Sequence, residues 1–188
     1  VIDNYNNSDM NTLVSVYINI YPQQYDKNIY IVGLSAIDVS TGQNYVHRIQ
    51  STLTDENMWS DELFRLLHYY SPKETLFHFD KEIELTKDNI CNQWVLDEKT
   101  LHINLYDNSQ FKKQSFQNDF LKQIFKETGS LSPIEYLDFE RDSEITLSYI
   151  YMMQFIHEHK IENLRGLPKP IFKGDEKHLL LSHNCIYQ

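Results

Sequence analysis

From Leu13 to Ile20 apolar and polar residues alternate, with Val14, Val16, Ile18 and Ile20 on one side and Ser15, Tyr17 and Asn19 on the other. A period of two is the spacing of a strand with at least one buried face. A polar stretch, Tyr21–Asn28, leads into Ile29–Val39, which is almost unbroken in Ile, Val, Leu and Ala. Such a run predicts a central strand covered on both faces. Gly33 inside it is expected at a point of close packing or backbone approach. Asp38-Val39-Ser40-Thr41-Gly42-Gln43 reads as a turn in which Gly42 can take positive φ. Tyr45–Ile49 then returns as a third strand, so three antiparallel strands open the chain.

The period then lengthens. Thr54, Asp55 and Glu56 mark a helix start, and Met58, Trp59, Leu63, Phe64, Leu66 and Leu67 form an apolar stripe ending near Tyr70. Ser71-Pro72 stops it. Glu74–Phe79 is a short apolar strand, expected to run parallel to its neighbour. Glu82–Val95 is a weaker amphipathic stretch, and Leu101–Leu105 alternates as a further strand. Phe111–Lys126 predicts a helix with Phe116, Phe120, Leu121, Ile124 and Phe125 on one side and Gly129 as its cap. Three antiparallel strands followed by alternating helix and strand is the element order of ribonuclease H-like domains. The expected fold is therefore α/β, a mixed sheet flanked by helices. A long apolar helix, roughly Ser143–Lys160, and an extended segment follow it.

Composition narrows the class. Of 188 residues, 41% are hydrophobic and 13% aromatic, enough for a substantial core, and with Gly and Pro at five each long flexible linkers are not expected. No run of about 18 apolar residues occurs, and Val1–Tyr5 lacks the basic-then-apolar start of a signal peptide, so an intracellular protein is expected. Cys91 and Cys185 stand far apart without Cys-x-x-Cys spacing; a disulfide is possible in principle, but they read as two buried free thiols in a reducing compartment. A net charge of −10 repels phosphate, so this chain is not expected to grip DNA by itself.

Three stretches carry a family resemblance. Tyr30–Gly42, Tyr-Ile-Val-Gly-Leu-Ser-Ala-Ile-Asp-Val-Ser-Thr-Gly, is similar to the connector-domain line G-[LV]-A-x-x-D-x-S-T-G-E-F of MutS-type mismatch-repair ATPases. Glu62–Phe77 resembles the line E-L-x-R-L-x-P-x-E-[IVL]-L. The helix from Ser143, Leu167-Pro168-Lys169-Pro170 and the ending His178–Gln188 resemble the seam between connector and core domains, cut before its motif finishes. Order and spacing make the match, across roughly residues 12–188. Ser182 stands where the seam has Asp, Gln188 where it has Asn, and Tyr45 where the hairpin line has Phe. These departures, with the richness in Asn, Ile, Lys and Tyr, suggest a divergent branch of viral or organellar type. The resemblance implies two parts: a connector domain over 1–142 and the beginning of the core domain over 143–188. The second part was shaped to pack against helices outside this chain, so its helix is expected to leave the body, with 160–188 mobile or held by other copies. It also implies a non-catalytic piece that links mismatch-binding and core domains and presents a surface to a MutL-like partner. ATP, Mg²⁺ and mismatched DNA would belong to the full-length protein, itself expected to be dimeric.

Candidate chemistry is sparse. A two-metal nuclease needs three or four convergent carboxylates, the first of them in the middle of the first strand, where Leu13–Ile20 holds no acid. Asp38, Asp80 and Asp107 fall at strand ends, where turn and cap roles are favoured over metal ligation. A stand-alone ribonuclease H-like nuclease or resolvase is the rival reading. His157-Glu158-His159 has i, i+2 spacing, whereas zinc-binding pairs on a helix stand at i, i+4, and the other six histidines lie apart. No Gly-x-Ser-x-Gly and no phosphate-binding Gly-x-x-x-x-Gly-Lys loop occurs. Phe139-Glu140 lacks the spacing of the family's mismatch-reading Phe-x-Glu. Tyr17, Tyr21, Tyr25 and Tyr30, taken as exposed, read as sheet and loop residues rather than a base-stacking platform. No catalytic, cofactor-binding or metal-binding residue is assigned.

Overall fold

The computed structural model describes residues 11–23, 27–80, 82–159 and 166–173, and β1 (Thr12–Pro22) is the strand about which they are arranged. β1 pairs antiparallel with β2 (Asn28–Asp38), from Thr12↔Asp38 to Pro22↔Asn28. β2 pairs antiparallel with β3 (Asn44–Gln50). On its other side β1 runs parallel to β4 (Glu74–Phe79), which runs parallel to β5 (Leu101–Ile103). A two-residue strand, β6 (Ile171–Phe172), lies parallel to β3 and completes the order β5-β4-β1-β2-β3-β6. This is the ribonuclease H-like mixed sheet that the strand periods predict.

The pleat sends alternate residues of each strand to opposite faces. Val14, Val16 and Ile18 of β1, with Val32, Leu34 and Ala36 of β2, pack under α1 (Met58–Tyr70) and α2 (Lys87–Trp94). Leu13 and Tyr17 of β1 and Ile37 of β2 face the other way, toward α3 (Asn108–Phe111), α4 (Gln114–Ile124), α5 (Pro133–Tyr136) and α6 (Ser143–His159). β1 is thus covered on both sides. Tyr17, expected at the surface, is 1% exposed because α6 and its neighbours close over the face that its polar companions Ser15 and Asn19 had suggested was wet.

Local signals set the element ends. Asp55 accepts from the Asn57 and Met58 backbone N–H groups, 3.1 Å each, ahead of α1, and Ser71 ends that helix at φ 45° with its N–H on Leu67 O. Thr86 and Asn89 form a reciprocal capping box for α2. β5 stops at Ile103 rather than Leu105: Asn104 takes φ 44° and its side chain accepts from Phe79 N–H. The helix expected over 111–126 is two helices, α3 and α4. Gly129 lies beyond both, in a later turn, and α4 closes at Phe125. α5 has no counterpart in the apolar periodicity, although Ser132-Pro133-Ile134-Glu135 is a capping box with proline at the first helical position.

α6 departs furthest from its expected course. The helix expected to leave the body lies across β1 and β2 and is buried over most of its length, from Glu144 to Met153 without a break. Its approach to β2 is close because Gly33 has no side chain: a Cβ there would sit 2.1 Å from the Glu144 carbonyl oxygen. The expected division at residue 143 therefore falls inside one packed unit. Residues 166–173 also return to the domain, through β6, but Ile171 remains 51% exposed, so this is an edge addition and not a buried strand. Leu179–Leu181 lie outside the described residues.

Candidate functional site

The carboxyl ends of β1 and β4 meet the start of α6 and the α3–α4 junction in an open cleft of about 240 Å³. Tyr17, Asn19, Lys112, Gln117, Ser143 and Leu147 line it. Two carboxylates stand at its edges, and both are engaged. Asp80 forms an ion pair with Lys112. Glu144, 4% exposed in the first turn of α6, accepts from Asn19 Nδ2 at 3.1 Å and Tyr21 Oη at 2.6 Å. Burial and the Asp80 carboxylate both push the Tyr17 hydroxyl above its ordinary range, so the phenol stays protonated. The Tyr151 hydroxyl is raised by burial, then by Asp80 and Asp107.

The three strand-end aspartates do not come together. Asp38 pairs across from Thr12, whereas Asp80 follows Phe79, the partner of Ile18. At roughly 3.3 Å per residue, that puts Asp38 and Asp80 about 20 Å apart, at opposite ends of β1. Asp38 organises its turn, accepting from Ser40 N–H at 2.9 Å and Thr41 Oγ1 at 2.8 Å. Asp107 does the same for Ser109, accepting from its N–H and hydroxyl. Among the described residues no group of three or more His, Cys, Asp or Glu is placed to hold a metal ion.

The remaining candidates fall in structural settings. His159 Nδ1 lies 2.8 Å from Phe155 O, while Glu158 accepts from Tyr106 Oη and Gln154 Nε2, so the helix-end residues serve different neighbours. Phe139 is buried edge-on to Tyr149 and Phe172. Tyr30 stacks on Trp59 with centroids 4.9 Å apart, and Tyr25 lies outside the described residues. His78, fully buried in β4, stacks on Tyr151 at 3.8 Å, and burial lowers its pKa to about 3. His47 is lowered to about 4 by burial and lies 2.7 Å from Tyr70 Oη.

A second constellation sits at the far end of the sheet, and periodicity gives no sign of it. Asn44, 1% exposed, donates through Nδ2 to Gly42 O at 3.0 Å and Pro168 O at 3.1 Å, and its Oδ1 accepts from Tyr149 Oη at 3.1 Å. One amide thus ties the β2–β3 hairpin, α6 and the returning segment. The only sequence sign of Asn44 is a polar residue next to a glycine turn.

The cleft carboxylates are tied to neighbouring side chains and His78 is stacked in the interior, and comparison with known proteins supplies the family. The family model described as MutS domain II matches residues 11–158. This chain belongs to the MutS family. The matched span of MutS domain II runs through α6 almost to its end, consistent with that helix being part of the connector's own core. The chain is also 32% identical over 202 aligned residues to a putative DNA mismatch repair protein, a MutS homolog, of Acanthamoeba polyphaga mimivirus. That alignment covers 96% of this chain and 18% of the viral MutS relative, so the chain spans about a fifth of the relative's length.

Proposed function

We propose that this chain is the connector part of a larger MutS-like mismatch-repair protein. It has no chemistry of its own; it joins the mismatch-binding part to the core and ATPase parts and relays conformational change between them. The observation that carries this reading is the domain II match over residues 11–158 in a chain that spans 18% of a mismatch-repair relative. In this reading ATP and Mg²⁺ are bound elsewhere in the full-length protein, mismatched DNA is gripped by other domains, and the parent is dimeric. A MutL-like protein docks on the connector surface. The net charge of −10 supports leaving DNA to the other domains, because non-specific DNA affinity comes mainly from cations that neutralise phosphate.

The purified chain is expected to show no Mg²⁺- or Mn²⁺-dependent cleavage of DNA or of RNA–DNA hybrids. Cleavage above background that disappears in Asp38→Asn would overturn the reading. Binding to duplex DNA at physiological salt should be no tighter than the roughly 10⁻⁴–10⁻⁶ M of non-specific contacts. A sub-micromolar, mismatch-dependent dissociation constant for this chain alone is incompatible with a connector role.

A further inference from the structure

The returning segment is attached quite differently from the helix that precedes it. α6 is buried along the sheet, whereas in Leu167–Lys173 Pro170 is buried, Leu167 and Phe172 rest half-buried against the core, and the remaining residues are exposed. Its backbone pairs with β3 only at Tyr45↔Ile171 and Val46↔Phe172, and Lys173 N–H donates to Val46 O at 2.9 Å. Asn44 Nδ2 holds Pro168 O, and Leu167 rests against Gly42. Gly42 has φ 77°, and a Cβ there would lie 3.1 Å from Leu167 Cδ2, so the turn's glycine also leaves room for the segment. Lys169 pairs with Asp138 at the surface, where ion pairs contribute little.

We propose that Leu167–Lys173 is a detachable strap with Asn44 as its clasp, and that releasing it lengthens the tether between α6 and the chain that follows. A segment with one buried residue, two half-buried apolar side chains and a sheet edge of two residues opens at lower free energy than a helix buried over most of its length. Peeled from β3 and extended, seven residues reach about 24 Å at 3.3–3.6 Å each. That reserve lets the connector shift against its neighbour without unfolding α6. The purpose assigned to the strap rests on the connector reading; its attachment is read from this chain alone.

Hydrogen exchange on the intact chain tests the strap. The Lys173 amide should exchange at least about 100-fold faster than the amides at the centre of α6, as a locally opening unit does. In Asn44→Ala the Lys173 amide should approach the rate of an unstructured peptide while α6 keeps its protection. If Asn44→Ala loosens the whole domain, Tyr149→Phe gives the narrower test. It removes one hydrogen bond to Asn44 Oδ1, keeps the ring, and should speed Lys173 exchange about fivefold with α6 unchanged. Strap and helix exchanging as one unit in the unaltered chain, or Lys173 protection unmoved by both substitutions, would overturn the proposal. Either result would leave the connector reading standing, since that reading fails on cleavage or on tight mismatch binding instead.

Discussion

The two faces of the central sheet are built by different means. Under α1 and α2 the strands present Val14, Val16, Ile18, Val32 and Leu34, closed over by Trp59, Leu63 and Trp94, an interior that is almost wholly apolar. Under α6 the same strands present Ser15, Tyr17, Gly33 and Ser35, and the helix answers with Ser148, Tyr149 and Tyr151. Ser35 Oγ and Ser148 Oγ lie 2.7 Å apart, both buried. Branched side chains hold a helix away from a sheet and fill the space with apolar volume. Glycine and serine let the backbones approach and replace volume with hydrogen bonds and close contact. The first face tolerates changes that conserve volume, and the second depends on keeping particular side chains small.

Gly33→Val should expose this difference most strongly. The new Cβ would lie 2.1 Å from Glu144 O, and backbone, unlike a side chain, cannot rotate away. The loss should reach or exceed the roughly 1–3 kcal/mol usual for overpacking, and an unchanged melting temperature would refute the close approach of α6. On the other face Leu63→Ala, at a fully buried site, should cost about 2–5 kcal/mol by leaving a cavity. Denaturant titration of the two variants side by side compares the mechanisms.

His78 gives the α6 face a pH dependence. Its pKa is lowered to about 3 in the fold by burial, against about 6.5 in an unfolded chain. Its neutral form is the folded one, so full stability is present above pH 6.5. Stability is lost as the pH falls from 6.5 toward 3, with a slope of up to about 1.4 kcal/mol per pH unit. Replacing His78 by Phe should flatten this limb between pH 6.5 and 5. His47, lowered to about 4 on the opposite face, should supply the slope that remains. A limb equally steep in the variant would assign the effect elsewhere.

The Ser35–Ser148 contact should be worth less. Each single alanine substitution is expected to cost about 1 kcal/mol, and a double-mutant cycle should give coupling of about 0.5–1.5 kcal/mol. Smallest of all is Tyr69→Ser at the 70% exposed end of α1, expected within about 0.5 kcal/mol of the unaltered chain.

The sheet was legible because a period of two survives tertiary context, and the parallel strand Glu74–Phe79 could be placed from the helix ahead of it. The α6 face misled for one physical reason. Ser15, Tyr17 and Asn19 look like the wet side of a half-buried strand, and the many apolar positions of Ser143–His159 look like a helix awaiting absent partners. Each completes the other: a strand face of small and polar residues is what a helix buried on most sides packs against here. The turn at Asp38–Gly42 could be read to the level of its hydrogen bonds. Asn44 could not, because its partners Pro168 and Tyr149 are more than 100 positions away, and nothing local marks an asparagine that joins distant segments. The rival nuclease reading needed carboxylates in one place, and the register of β1 with β2 and β4 keeps Asp38 and Asp80 at opposite ends.

The position of α6 in the chain also bears on how the domain is made. Residues 12–103 contain β1 to β5, α1 and α2, so the apolar face can close while the rest is still being synthesised. Leu13, Tyr17, Ile37, Val46 and Leu76, on the other face, await a helix that ends at residue 159. At about 5–20 residues per second, the 56 residues from 104 to 159 take about 3–11 seconds to emerge. For that interval the half-finished sheet leaves these five large side chains, set among serines and a glycine, open to the cell. Chaperone capture and misassembly should concentrate there, and a ribosome stalled before Ser143 should display a far stickier nascent chain than one stalled well past it.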